Sequence, residues 1–323
     1  MPVTEESNHS SQTHRAAKRR AERVILDTNV YSALSDSSFN PSLLGRQLAK
    51  RRHVVRPTAL NLLEVGRCPD LARSQAILRI LVGVATGPIF AEPEELIVDS
   101  CERLLVGDSS LHEPNAGRHL RRMWERLRSG RDNFVQTQGS FSVLRDKYRV
   151  LFSLCRGGWP SDDITRRLAP RGESNGSIVF KQLLEQCVAV PRGVVSRRHA
   201  PLWGAAMLAV GLAPQPEIFE AFWRKRHISS TEDRMVWMLG PGRVLMEVGP
   251  LVGIGAVLAS QAEHGWDTGH AIDCFHLAYL PFVDYFVTND RGIHLAAKDW
   301  PARWKSKVLT SAQWLAVVAT RAK

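Results

Sequence analysis

The 323-residue chain has few cysteines, and their spacing organises neither a disulfide framework nor a zinc site. They are Cys68, Cys101, Cys155, Cys187 and Cys274, with no Cys-x-x-Cys motif among them. An odd number of isolated thiols is typical of buried cysteines in a reducing compartment. The first 22 residues lack the apolar core of a secretory signal and carry charges of both signs. We therefore expect a flexible, solvated N-terminal arm over residues 1–22 and a cytoplasmic protein.

Long apolar segments, internal repeats and phosphate-binding loops are also missing. The apolar run 244–259 has 16 residues, contains Glu247 and Pro250, and is short for a membrane span, which favours a buried core helix. No Gly-Lys-Ser/Thr loop of a nucleotide-binding protein occurs. With 44% hydrophobic and 23% charged residues, the composition is typical of a folded globular protein rather than a disordered chain or a coiled-coil rod.

The charge of the chain is strongly unbalanced towards basic residues. Lysine and arginine number 43 against 32 acidic residues, a formal net charge of +11. Residues 107–264 alone carry 22 basic and 15 acidic side chains, so most of the excess lies in the middle of the chain. An excess of this kind indicates a polyanionic partner, and nucleic acid is the first to consider.

Short apolar runs alternate with helical patterns at both ends of the chain. The predicted strands are 23–26, 53–57, 283–288 and 305–310. Polar capping residues and amphipathic helical patterns follow the first two strands. Residues 269–280 are predicted to form a largely buried helix, and an apolar helix is predicted near the end of the chain. This alternation predicts an α/β fold with a mostly parallel sheet and flanking helices.

The middle of the chain has no comparable series of strands. Residues 118–128 form an amphipathic basic pattern, and several further helical stretches follow, separated by proline- and glycine-rich breaks. We therefore predict a discontinuous domain, residues 23–106 and 265–323, that carries an inserted basic all-helical lobe over residues 107–264.

Acidic residues stand where ligands bind in parallel sheets. Asp27 ends the first predicted strand and Asp290 follows the third, so both should lie at the carboxyl edge of the sheet. Glu64, in the helix after the second strand, and Asp273, in the helix before the third, could join them. Four clustered carboxylates repel one another and call for cations that neutralise them.

Four segments of the chain resemble the acidic motifs of the PIN-domain nucleases, in the order found in that family. They are VILDTNVYSAL at 24–34, ALNLLEVGR at 59–67, AIDCFHLAYL at 271–280 and VDYFVTNDRGI at 283–293. The family includes VapC-type ribonuclease toxins and RNA-processing endonucleases. The likeness covers roughly 21–106 and 265–318, and the long insertion departs from the compact family pattern.

This resemblance implies a PIN-like domain that hydrolyses phosphodiester bonds, in RNA, with Mg²⁺ or Mn²⁺. Asp27, Glu64, Asp273 and Asp290 would be the catalytic metal ligands. All-oxygen ligation suits these ions, and a pair of them can activate a water and stabilise the leaving oxygen. Asn29 and Thr288 are the expected supporting residues, with helix capping and turn closure as their alternative roles.

Basic and histidine residues complete the candidate set. Arg291 and Lys298, after Asp290, are candidate contacts near the scissile phosphate. Clusters of basic residues in the insertion predict a surface that follows the phosphate backbone; those assigned to it are Arg121, Arg122, Arg224, Lys225 and Arg226. His270 and His276 flank Asp273 six residues apart, a spacing that favours packing histidines over a shared site.

Three other functions stay open at this point. The same fold could cleave DNA, which the residues do not distinguish from RNA. The chain could be a toxin-like or defence effector whose insertion docks an inhibitory or regulatory protein, or a non-catalytic RNA-binding module. We expect no membrane association, and the sequence leaves homo-oligomerisation open.

Overall fold

The computed structural model describes most of the two chain ends and short parts of the middle. The described residues are 20–37, 40–131, 222–230, 233–234, 236–237, 248–264, 275–298, 300 and 302–320. Within them, no helix is both long enough and apolar enough to cross a membrane.

The described residues contain a four-stranded, all-parallel sheet, so the α/β class and the parallel sheet are confirmed. Its strands are β1 (Glu22–Leu26), β2 (His53–Val55), β3 (Tyr285–Val287) and β4 (Val308–Leu309), in the order β2-β1-β3-β4. Each lies within or one residue beyond a predicted strand. In register, Val24 pairs with Val55 on one side and with Tyr285 on the other. The two ends of the chain therefore share one sheet, as the acidic site requires.

Helices connect and cover the strands. After β1 come α1 (Thr28–Ser35) and α2 (Pro41–Lys50), and after β2 come α3 (Ala59–Arg67), α4 (Leu71–Val84), α5 (Pro93–Leu105) and α6 (Arg118–Arg128). The C-terminal part has α7 (Gly249–His264), a 3₁₀ helix (Leu277–Phe282), α8 (Arg291–Ala297), α9 (Ala302–Lys305) and α10 (Ser311–Thr320). Of the helix predicted over 269–280, residues 275–276 are α-helical, 277–280 lie in the 3₁₀ helix, and the rest falls outside the described residues.

The described ends of the predicted insertion pack onto the α/β elements. Helix α7 contacts the 3₁₀ helix, α5 and α8. Its Gly253 meets the backbone of Leu277 so closely that a Cβ there would overlap the carbonyl oxygen. On the other side, Glu113 forms ion pairs with Arg23 of β1 and with Arg56 after β2. Most of the further helical stretches predicted after residues 118–128 lie outside the described residues.

Candidate metal centre

The strand order places a topological switch point beside the first strand. The chain passes from β1 to β2 on one side, while β3 lies on the other, so the β1/β3 boundary is the point where ligands bind in open parallel sheets. Asp27 directly follows β1, and Thr288 directly follows β3. The Asp27 N–H donates to the Val287 carbonyl over 2.8 Å, which continues the strand pairing up to this edge.

The carboxylate of Asp27 is buried and held by three donors. The backbone N–H of Thr28 donates to Oδ1 over 2.6 Å. The Asn29 amide and the Thr288 hydroxyl donate to Oδ2 over 2.6 and 2.7 Å. With only 2% of Asp27 exposed, these bonds fix the orientation of both oxygens. The structure thus gives Asn29 and Thr288 a supporting position as well as a local structural one.

Glu64 reaches the same edge because α3 is tied to the end of β1. Thr58 and Asn61 form a reciprocal capping box at the start of the helix. The Asn61 amide also donates to the Leu26 carbonyl and to the Thr28 hydroxyl, both over 3.1 Å. Glu64 follows Asn61 by three residues, on the same side of the helix, and its Oε2 accepts a hydrogen bond from Thr28 Oγ1.

His276 completes the cluster, contrary to its interpretation from sequence as a packing histidine. It is fully buried beside the Phe286 ring, and its Nε2 lies 3.2 Å from Glu64 Oε2 and 4.0 Å from Asp27 Oδ1. The sequence did indicate this placement: His276 follows Asp273 by three residues, a spacing that places two side chains on the same face of a helix. The comparison of His276 with His270, six residues away, did not test this pair.

The ligand atoms of Asp27, Glu64 and His276 all lie within 4.8 Å of one another, and we call these three residues the edge cluster. Metal ligands about 2.1 Å from an octahedral ion, at right angles to each other, are about 3 Å apart. The 3.2 Å separation of Nε2 and Oε2 is close to this spacing. Two carboxylates and one imidazole therefore fit a divalent cation, with a donor set that is mixed rather than all oxygen.

Burial raises the pKa of Asp27 above its ordinary value. The positive charge that His276 can carry opposes this rise, and the negative charge of Glu64 adds to it. A cation at the cluster would offset the same desolvation and repulsion, since it favours the charged form of each carboxyl.

Asp290 lies at the same edge but caps a helix. Its Oδ1 accepts from the Ile293 N–H over 2.8 Å, at the start of α8. Its backbone N–H donates to Thr288 Oγ1 over 3.0 Å, and that hydroxyl in turn bonds Asp27. The Thr288 hydroxyl thus links Asp290 to Asp27. Among the described residues, Asp290 is not part of the group Asp27, Glu64 and His276 whose ligand atoms could hold a metal ion. Asp273 falls outside the described part of the chain.

The predicted phosphate contacts occupy separate surfaces. Arg291, the first residue of α8, and Lys298, which follows its last, are both exposed. Seven helical positions separate them by about 10 Å along the axis, so Lys298 is not beside Asp290. Arg121 and Arg122 are exposed on α6. The opposite face of that helix is buried and consists of Leu120, Met123, Trp124 and Leu127.

The third basic cluster is largely occupied within the protein. Lys225 and Arg226 form ion pairs with Glu102 of α5, over 2.7 and 2.9 Å. The Arg226 guanidinium also lies 3.6 Å from the centre of the Phe222 ring. We call Glu102, Lys225 and Arg226 the α5 ion-pair cluster. Lys225 and Arg226 thus already pair with an acidic side chain, and phosphate binding by residues 224–226 stays a prediction.

Comparison with known proteins adds no relative from which a function could be carried over. No family model matches the chain, and no curated protein or solved structure gives a match. The residues themselves and their arrangement at the sheet edge are therefore what indicates a function.

Proposed function

We propose that this protein is a PIN-like, divalent-metal-dependent endonuclease that hydrolyses phosphodiester bonds in RNA. One observation carries the proposal. Asp27 and Glu64, 37 positions apart in the chain, come together with His276 at the carboxyl edge of a parallel sheet. Two of these three residues, with Asp290 next to them, are acids that the resemblance assigns to the nuclease centre.

The edge cluster has the donors for the required cation. Asp27, Glu64 and His276 would hold a divalent ion, which when bound stabilises charge on a phosphodiester oxygen and lowers the pKa of water. Asp27 is almost fully buried, whereas the Glu64 side chain is 22% exposed. Substrate and solvent therefore approach the cluster from the Glu64 side.

The residues around the cluster supply orientation. Thr28 serves both carboxylates, since its N–H donates to Asp27 and its hydroxyl to Glu64. Thr288 links the Asp27 carboxylate to the backbone of Asp290. Donors fixed in this way before the substrate arrives need little rearrangement during the reaction, which is how preorganised sites lower barriers.

A nucleic-acid substrate is supported by the charge of the surface. Helix α6 has five arginines and one glutamate, and all of its charged residues are exposed. A rigid basic face on an apolar-anchored helix suits contacts with phosphates, which supply affinity without reading sequence. RNA is chosen over DNA on the resemblance to the ribonuclease-rich family.

Cleavage of matched RNA and DNA oligonucleotides tests this proposal. Wild type should cleave the RNA with Mn²⁺ or Mg²⁺ and lose activity in EDTA. Asp27→Asn should be inactive under all conditions. Asp36→Asn is the matched control, because that carboxylate is 59% exposed and pairs with Arg73 on the surface. Cleavage of DNA alone would replace RNA by DNA as the substrate, and an inactive wild type with both metals would overturn the proposal.

A further inference from the structure

The edge cluster has a feature that a site of carboxylates alone would lack, a buried nitrogen donor. His276 is fully buried, and its Nε2 is directed at both acids rather than at solvent. It lies immediately before the 3₁₀ helix Leu277–Phe282, whose residues are buried except for Pro281, so the packed core holds the ring. The nitrogen therefore keeps its position without help from a ligand.

We propose that His276 is a direct metal ligand and that the edge cluster binds Mn²⁺ in preference to Mg²⁺. The proposal rests on the proposed function only in taking the edge cluster as the metal centre. It differs from the expectation of an all-oxygen site, in which the two ions would be interchangeable.

The spacing of the donors supports direct ligation. Nε2 lies 3.2 Å from one oxygen of Glu64 and 4.0 Å from one oxygen of Asp27. For bonds of about 2.1 Å, neighbouring ligands of an octahedral ion lie about 3 Å apart and opposite ones about 4 Å apart. Because the ligand atoms of all three residues lie within 4.8 Å of one another, a single ion placed between them can contact all three.

The chemistry of the donors supplies the preference. Mg²⁺ is a hard ion that gives up its waters reluctantly and is bound by oxygens. Imidazole is a better ligand for first-row transition ions, and for a given nitrogen- and oxygen-containing site their affinity rises from Mn²⁺ onwards. Replacing one oxygen donor by Nε2 of His276 therefore strengthens Mn²⁺ binding relative to Mg²⁺.

Pulsed electron paramagnetic resonance of the Mn²⁺-loaded full-length protein tests the ligation directly, without using activity. A directly bound imidazole gives modulation from its ¹⁴N nucleus, which changes to the ¹⁵N pattern when the protein is grown with ¹⁵N-histidine. His276→Gln and His276→Asn should lose this signal while Asp27 and Glu64 still bind the ion. His112→Gln is the matched control, since it removes a histidine paired with a surface carboxylate, Asp99, and should keep the signal.

Metal titrations measure the preference. The Kd for Mn²⁺ should rise at least about tenfold in His276→Gln, because even loss of a residue that only orients a ligand costs ten- to a hundredfold. The Kd for Mg²⁺, measured by displacement of Mn²⁺, should change less than about threefold. The ratio of the two constants should therefore fall several-fold in the variant, while His112→Gln keeps the ratio of wild type.

The outcomes separate this proposal from the proposed function. Mn²⁺ binding that depends on Asp27 but shows no nitrogen coupling would overturn the role of His276 and leave a nuclease centre of oxygens. Nitrogen coupling in a protein that cleaves no nucleic acid would support His276 as a ligand and overturn the nuclease. The labelled wild type gives the first readout even if the His276 variants do not fold, and absence of the ¹⁵N change there overturns the inference.

Discussion

Two carboxylates of this protein, Asp27 and Glu102, are placed in opposite electrostatic situations. Asp27, in the edge cluster, is 2% exposed, and burial raises its pKa. Burial by itself would also raise the pKa of Glu102, but hydrogen bonds and charges from Arg226 and Lys225 bring it below the ordinary value. Asp27 lies beside another acid and a histidine, whereas Glu102 already has two cationic partners.

This difference supports the proposal that Asp27 is a functional charge, whereas Glu102 is a structural one. Hydrogen bonds fix Asp27 in place but do not neutralise it, and the charged groups that act on its pKa are a histidine and another acid. The α5 ion-pair cluster is complete as it stands, since Glu102 joins residue 226 to α5 across 124 positions of the chain. A buried charge without a neutralising ion pair is typical of a functional site, whereas a charge that the fold neutralises is typical of a contact that stabilises the fold.

The largest effect should come from Asp27→Asn. We expect the cleavage rate to fall by at least about a hundredfold, the scale for removal of an electrostatic catalytic element. The metal-free unfolding free energy should change by less than about 2 kcal/mol, since lost charge-assisted hydrogen bonds are offset by relief of a desolvated charge. Single-turnover cleavage and urea unfolding measure the two. A variant that loses activity only by unfolding would make Asp27 a structural residue like Glu102.

Arg226→Ala should show the reverse pattern. Its side chain is 13% exposed, pairs with Glu102 and stacks on Phe222, so its loss should cost roughly 1–3 kcal/mol of unfolding free energy. Lys225→Ala is the matched control, because that lysine is 70% exposed and an exposed ion pair contributes little. Urea unfolding of both variants, with Mn²⁺ binding as a second readout, checks this. Equal stability of the two would mean that the α5 ion-pair cluster does not hold the fold.

The basic surface of α6 should affect binding without affecting the fold. Changing Arg121 and Arg122 together to Gln removes two exposed charges and leaves the buried face of the helix intact. If each contacts one phosphate of a single strand, the slope of log K against log salt should flatten by about 1.4. RNA binding measured at several salt concentrations tests it. A slope equal to that of wild type would show that α6 is not part of the nucleic-acid surface.

Much of the fold was predictable from sequence because local rules act within a few residues. Strand β1 is a short apolar run ended by a capping aspartate, and α6 alternates arginine with apolar residues at helical spacing. The same rules placed Asp27 at the end of the first strand and Glu64 in the helix after the second. They did not predict that β3 and β4 would be as short as three and two residues, because strand length depends on pairing partners.

The partners of charged residues were not predictable in this way. Helix periodicity places His276 on a face but does not say whether acids or apolar rings meet it. Likewise, Arg224, Lys225 and Arg226 read as a basic patch because Glu102 is more than a hundred positions away in the chain. The aromatic residues Phe222 and Trp223 lie just before them in the chain and indicated that a basic side chain could stack on a ring. A count of net charge does not take this into account.

The smallest effects should appear in the pH dependence of stability, where the two carboxylates have opposite signs. The pKa of Asp27 in the folded state is raised above its ordinary value of 3.8. Between these two pKa values, Asp27 therefore binds more protons in the folded state than in the unfolded state. Its contribution to the metal-free unfolding free energy is therefore lost as pH rises from 3.8 through the folded pKa. Glu102, with a lowered folded pKa, contributes above its ordinary value of 4.5, and this contribution is lost as pH falls through the folded pKa.

Urea unfolding in EDTA at a series of pH values, for wild type, Asp27→Asn and Glu102→Gln, separates the two signs. The stability of wild type relative to Asp27→Asn should decrease as pH rises from 3.8 through the folded pKa of Asp27. The stability of wild type relative to Glu102→Gln should decrease as pH falls from 4.5 through the folded pKa of Glu102. This second change should be about 1 kcal/mol or less, because the Glu102 pair is partly exposed. If both stability differences changed in the same direction with pH, the two acids would not have opposite pKa shifts. The contrast between Asp27 as a site residue and Glu102 as a structural contact would then be wrong.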